Sequence, residues 1–203
     1  MIKNIVIKTL VTGALLAGAF GQTAIAAEVA GIKYADNIKL AGKDLQLNGL
    51  GTRNKAFFKV YTVGLYLQDK KSTVEEVFVA EGPRRMQLVM MRDVSSEAFG
   101  EAFMSGINNN LDTKDKTKIV TQISTFGEMF AQIDSLKKGD MLDLDWIPGT
   151  GTVCSLNGKR IGQVTPDIAF YNAIMKIWLG NKPADTSLKP KLLAAATAAP
   201  AKK

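Results

Sequence analysis

The chain has no histidine and a single cysteine in 203 residues. Without histidine there can be no Ser-His or Cys-His nucleophile, no imidazole proton shuttle and none of the usual zinc sites. One cysteine, Cys154, excludes an intramolecular disulfide even in an oxidising compartment. It alternates with Thr152 and Leu156 in a strand-like pattern, where a free thiol packs as a small buried hydrophobe. Phosphate-loop chemistry is missing as well. Pro148-Gly149-Thr150-Gly151 is a tight loop that lacks the Gly-Lys-Ser/Thr and the helix of such a site. No cofactor motif remains, and no cofactor is expected. The basic excess, a formal +7, sits largely in Lys-rich turns and the C-terminal end. With no basic helix and no aromatic-basic stripe, nucleic acid is not an expected partner.

A long hydrophobic run is also absent. Thr9 to Gly21 is apolar but falls short of the roughly 20 residues that span a bilayer. Preceded by Lys3 and Lys8 and followed by Ala24-Ile25-Ala26, it reads as an export signal spanning residues 1–26. Cleavage is expected after Ala26, with Ala27 as the alternative, and no cysteine follows to carry a lipid anchor. The expectation is an exported protein, soluble in a bacterial periplasm, with no membrane span once the leader is removed. Removing 26 of 203 residues leaves 177 and lowers the charge to +5, because the leader holds two lysines and no acid. That length suffices for one domain burying roughly 70% of its unfolded surface. The domain is expected over residues 27–193, followed by a low-complexity, disordered tail, AAATAAPAKK, over 194–203.

Within the domain, strands come first. Ile38–Leu40 and Leu45–Leu47 flank Ala41-Gly42-Lys43-Asp44, a hairpin signal. Phe57 to Leu67 alternates with both faces largely apolar, the pattern of a central strand covered on both sides. Phe57, Tyr61, Val63, Leu65 and Leu67 fall on one of those faces. A short helix fits Val74–Ala80 and a strand Arg85–Met91. Phe99, Phe103, Ile107 and Leu111 then form one helical stripe, capped by Ser95 or Ser96. A second stripe runs through Ile119, Ile123, Phe126, Phe130 and Ile133. Leu142, Leu144 and Trp146 alternate with Asp143 and Asp145, and Asn157-Gly158 is a two-residue hairpin turn. A third helix is expected from a Thr165 cap and Pro166 to Gly180. Strands, helices, strands and helix in that order predict an α+β fold, an antiparallel sheet backed by helices.

Few side chains carry chemistry. Asn48 to Gln68, NGLGTRNKAFFKVYTVGLYLQ, reads as a glycine-rich turn that places Arg53 just ahead of the apolar strand. A guanidinium beside an apolar surface requires an anionic or phenolic partner; a surface arginine in a loop is the plainer alternative. Asp140, Asp143 and Asp145 suggest a metal or general-acid site. The simpler reading of Asp143 and Asp145 is the solvated side of a half-buried strand, and no metal is expected. Asn108-Asn109-Asn110 reads as a helix stop.

The order GxGxR (Gly49, Gly51, Arg53), FFKVYTVGLYL, PGxGT, Asn157-Gly158, Trp178-Leu179-Gly180 and Ser187-Leu188-Lys189 resembles the bacterial, exported branch of the chalcone isomerase-like family. The resemblance runs from about Ala30 to Leu193. It implies an open-faced β-sandwich whose curved antiparallel sheet and helices enclose an apolar cleft. Plant isomerases of this family add a phenolate to an enone, with an arginine steadying anionic oxygens and tyrosine, asparagine and threonine organising water and substrate. By that likeness the arginine is Arg53, and the strand threonine falls at Tyr61, which keeps a hydroxyl. The helix tyrosine falls at Phe99, the asparagine at Gly106 and the late threonine at Ile177, so three polar positions have become apolar or glycine. The family's non-catalytic fatty-acid-binding members hold a carboxylate between arginine and tyrosine, and the resemblance implies the same for Arg53 and Tyr61.

Three functions follow as expectations. The first is a periplasmic, non-catalytic binder of a hydrophobic carboxylate such as a fatty acid. The second is an intramolecular lyase or isomerase acting on a phenolic or enone substrate, in which Arg53 alone stabilises the anion. The third is an accessory role with a protein partner, for which an exposed apolar patch would speak.

Overall fold

The computed structural model describes residues 26–193. The expected leader, apart from Ala26, and the expected tail lie outside the described residues. The chain opens with two hairpins, β1 (Ala26–Val29) with β2 (Ile32–Ala35) and β3 (Asn37–Leu40) with β4 (Lys43–Lys55). Next come β5 (Phe58–Leu67), α1 (Val74–Phe78), β6 (Arg84–Met90), the short β7 (Val94–Ser95) and α2 (Ser96–Asn110). They are followed by α3 (Thr113–Lys118), α4 (Val120–Phe130), β8 (Ser135–Leu136), β9 (Met141–Ile147), β10 (Gly151–Leu156) and β11 (Lys159–Thr165). Two last helices, α5 (Ile168–Leu179) and α6 (Leu188–Leu192), complete the described chain.

Seven strands form one antiparallel sheet in the order β11-β10-β9-β6-β5-β4-β3. Irregularities in β4 between Leu47 and Gly49 and between Arg53 and Asn54, and in β10 between Thr152 and Cys154, bend the sheet. The architecture is α+β, a curved antiparallel sheet backed by helices, as the element order implied. Register lines up one face: Tyr61 opposite Met90, Val63 opposite Leu88, Leu65 opposite Met86, and Met86 and Leu88 opposite Leu144 and Leu142. Against this face pack α2, α4, α5 and α6. α5 is apolar nearly all round and buried through Phe170, Tyr171, Ile174, Met175 and Trp178, as a helix at the centre of a core must be. Ser95 caps α2 by accepting from the Ala98 amide at 3.2 Å, and a Thr73–Glu76 capping box starts α1.

The second face is where the sequence reading requires correction. Asp143 and Asp145 do lie opposite the apolar row, yet each is only 3% exposed. The β1–β2 hairpin covers that face: the Tyr34 hydroxyl bonds the Thr62 hydroxyl at 2.8 Å, and Tyr66 donates to the Ala35 carbonyl at 2.9 Å. Gly64 makes room for the lid of this small layer, because a Cβ there would stand 2.9 Å from the Tyr34 ring. Buried carboxylates need cations and donors. Arg85 forks onto Asp145 at 2.6 and 2.7 Å and reaches Asp143 at 3.2 Å, while Gln87 donates to Asp143 at 2.9 Å. Asp140 closes turns instead, accepting from the Lys137 amide and from Asn157.

Other departures are local. Gly49 and Gly51 lie inside β4 and not in a turn. A Cβ on Gly49 would overlap the carbonyl oxygens of Lys191 and Leu192, and one on Gly51 would overlap the Leu188 side chain, so both glycines let α6 lie on the strand. Phe57 sits in the β4–β5 turn, fully exposed, and β5 begins one residue later. Thr165 ends β11, as expected of a residue before proline, which is driven to extended backbone. The cap of α5 is Asp167, accepting from the Ala169 amide at 2.8 Å. Asn110 does end α2, and it also clamps the helix to the loop after α5 through Lys182 at 2.8 Å.

Candidate functional site

Between the ends of the interior strands β4, β5 and β6 and helix α2 lies a cleft of about 440 Å³, within the roughly 300–1,000 Å³ typical of small-molecule sites. Its walls are apolar: Val60 and Met90 from the sheet, Phe99 and Phe103 from α2, and Ile177 from α5. Phe99 is held in place by the Phe130 ring, 4.7 Å away between centroids. Ala98 and Ala102, one helical turn apart on α2, keep that wall thin and leave the space open.

Polar groups converge at one end. Antiparallel register sets Arg53 of β4 directly opposite Tyr61 of β5, so both side chains emerge on the helix-facing side. The Arg53 guanidinium lies 5.6 Å from the centroid of the Tyr61 ring, inside cation–π range. Its Nε is buried and bonds nothing among the described residues. Tyr61 itself is buried and its hydroxyl accepts from the Trp178 indole N–H at 2.8 Å. An indole nitrogen only donates, so the Tyr61 proton remains free to be given to a third group. Burial pushes the Tyr61 phenol up to about 12, against the opposing pull of Arg53 and Trp178. At neutral pH Tyr61 is therefore a hydrogen-bond donor and not a phenolate.

The rim of the cleft is cationic. Lys55 and Arg92 stand at its mouth, with Arg92 4.8 Å over the Phe58 ring. The acid beside them, Asp93, accepts from the Lys138 amide at 2.8 Å and pairs with Lys137 at 3.4 Å. Those partners hold its carboxyl below the usual range and offset its charge. What remains is an apolar slot with two donors unspent among the described residues at one end and a mainly positive rim. The nearby Asp185 carboxylate accepts from the Asn54 amide at 2.9 Å and the Ser187 hydroxyl at 2.7 Å. Such a slot suits an elongated apolar molecule with one anionic head.

Of the positions nominated by sequence, Arg53, Tyr61, Phe99 and Ile177 line this cleft. Gly106 is buried one layer behind, in the contact of α2 with α5, where a Cβ would stand 2.8 Å from Ile177 Cγ2. Trp178, Lys55 and Arg92 were not singled out as site residues. Trp178 was visible only as part of a helix-ending motif, and nothing local signals a bond to Tyr61, 117 residues away.

A sequence profile described as chalcone isomerase-like matches residues 26–194. No curated protein matches the chain by sequence. Among solved structures, the chain is similar to the crystal structure of a fatty-acid binding protein from Arabidopsis thaliana. The TM-score is 0.67 at 16% identity, covering 83% of this chain and 95% of that one. At this identity the likeness shows a shared fold.

Proposed function

The chain belongs to the chalcone isomerase-like family, and on that premise we propose that it is a non-catalytic binder of a hydrophobic carboxylate, such as a fatty acid. One observation carries the reading: a buried Arg53 Nε, without a partner among the described residues, lies beside the unspent Tyr61 proton at the end of an apolar cleft. A carboxylate accepts from both groups, and its chain lies along Phe99, Phe103 and Ile177. Each methylene removed from water contributes roughly 0.8 kcal/mol, and each hydrogen bond to the charged head roughly 1.5–3 kcal/mol. Phe99 and Ile177 supply no proton donor or acceptor to organise water for addition chemistry, which favours holding a ligand over transforming it. The fold shared with a plant fatty-acid binding protein supports the same choice. Export to a periplasm belongs to this proposal and rests on Lys3, Lys8 and the apolar run to Gly21.

Mass spectrometry of whatever co-purifies with the protein, wild type beside Arg53→Ala, tests the reading. A stoichiometric long-chain carboxylate present in the wild type and lost from the variant is the expected result. A wild type free of any such ligand, and unable to take up added fatty acid, overturns it; a chalcone cyclisation assay then decides whether catalysis takes its place.

A further inference from the structure

The turn joining β4 to β5 projects two aromatic rings from the mouth of the cleft. Phe57 is 100% exposed and Phe58 59% exposed. Among the described residues the other exposed large hydrophobics, Val79, Met104 and Val120, are widely separated in sequence and lie outside the hairpin. Phe57 gains nothing from folding while it faces water, and Phe58, under Arg92 at the cleft mouth, is buried only in part, so association is what can bury the rest. Cations predominate around them, the nearest acids being engaged elsewhere: Asp185 accepts from the Asn54 amide at 2.9 Å and Asp93 pairs with Lys137 at 3.4 Å. Lys55 and Lys59 flank the turn on both strands, and Arg92 covers the Phe58 ring at 4.8 Å. No acidic residue occurs between Asp44 and Asp69. Aromatic side chains that enter an apolar layer, ringed by cations that stay in an anionic one, are the composition of an interfacial membrane anchor.

We infer that the β4–β5 tip docks on an anionic phospholipid surface, with Phe57 and Phe58 entering the acyl boundary and Lys55, Lys59 and Arg92 meeting the headgroups. Charge complementarity selects lipid phosphate over a neutral surface, and Lys55, Phe58 and Arg92 also line the cleft. A docked tip therefore turns the mouth of the cleft toward the bilayer, so that an amphiphile could pass between the two without crossing water. The docking needs no ligand in the cleft, so its test is independent of the proposed carboxylate site.

The test is sedimentation of the full chain with vesicles of phosphatidylcholine alone and of phosphatidylcholine mixed with phosphatidylglycerol, without added fatty acid. A Phe57→Trp variant adds a position-specific readout, its emission difference from wild type and its quenching by brominated lipid. Residues outside the hairpin, including the apolar leader if retained, are common to both proteins and cancel in that difference. The expected results are binding to the mixed vesicles only, weakened by added salt, with a blue-shifted, quenched signal at position 57. Phe57→Ser should weaken binding about tenfold, and Lys55→Glu with Lys59→Glu should weaken it by at least about fivefold per removed cation. An unshifted, unquenched signal at position 57 overturns the proposal. So does equal affinity for neutral vesicles. A concentration-dependent dimer abolished by Phe57→Ser, without vesicle binding, overturns it in favour of a second copy of the chain.

Discussion

Replacing Arg53 by methionine retains an apolar stem over the Tyr61 ring and removes the charge. Because Arg53 Nε has no partner among the described residues, no hydrogen bond of the folded protein is lost at that atom, and stability should change by no more than the lost cation–π contact with Tyr61, about 0.5–1 kcal/mol. Binding should behave differently. Loss of a hydrogen bond to a charged head costs about 1.5–3 kcal/mol, equivalent to a roughly 10- to 150-fold rise in Kd. The assay is calorimetric titration of a long-chain fatty acid into both proteins, repeated with the fatty alcohol of the same length. The alcohol shares every contact of the chain and lacks the anionic head, so its affinity should be nearly the same for both proteins. In the variant, acid and alcohol should converge. Unchanged acid affinity would refute the anchor. An equal fall for acid and alcohol would show that the substitution damaged the cleft and not a charge contact.

Tyr61→Phe leaves the Trp178 indole N–H unpartnered and should cost about 1–3 kcal/mol of stability in urea titration. Since the phenol's folded value near 12 lies above its ordinary 10, the stability it contributes is full below pH 10 and fades as pH rises through 12. Carboxylate binding should accordingly be flat between about pH 7 and 9, and a break in that window would contradict a neutral Tyr61 donor. Gly106→Ala should cost about 1–3 kcal/mol through overlap with Ile177. Adding Ile177→Ala should recover part of that loss, whereas strictly additive effects would refute the steric account. Arg85→Met strands two buried carboxylates and should cost about 3–5 kcal/mol. Burial raises the Asp143 carboxyl against the opposing effect of Arg85, so its contribution is complete below the ordinary value of 3.8 and is lost as pH rises through the folded value. Wild type should gain on Asp143→Asn as pH falls from neutrality, and the opposite slope would refute that sign.

Much of the scaffold is legible without coordinates because period and punctuation act locally. The stripe through Phe99, Phe103 and Ile107, the Asn157-Gly158 turn and the two-sided apolar pattern of β5 each depend on neighbours within a few residues. What was misread depends on distant chain. Alternation separated Asp143 and Asp145 from the apolar row, but period two cannot say whether water or a hairpin covers a face. Here the covering strand carries Tyr34, far away in sequence. Gly49 and Gly51 have the local appearance of a turn, and only the approach of α6 explains why a strand should contain them. At the site, chemistry nominated Arg53 and resemblance supplied Tyr61. Their direct opposition is a matter of strand register, and Trp178 reaches Tyr61 only through the packing of α5 against the sheet.

The seating of α6 on β4 also bears on when the cleft can come into being. The Asn48 side chain, midway along the strand that carries Arg53, donates to the Leu192 carbonyl across 144 residues, and Gly49 and Gly51 are contoured to the same helix. Contacts of such separation close late, because the entropy of the intervening loop must be overcome before they return any free energy. A nascent chain can thus assemble its hairpins and helices in order of synthesis while β4 still lacks its buttress. The strand that carries Arg53 gains this support only when nearly the last described residues arrive, so a chain truncated before Leu188 should retain its secondary structure and lose affinity for the proposed carboxylate.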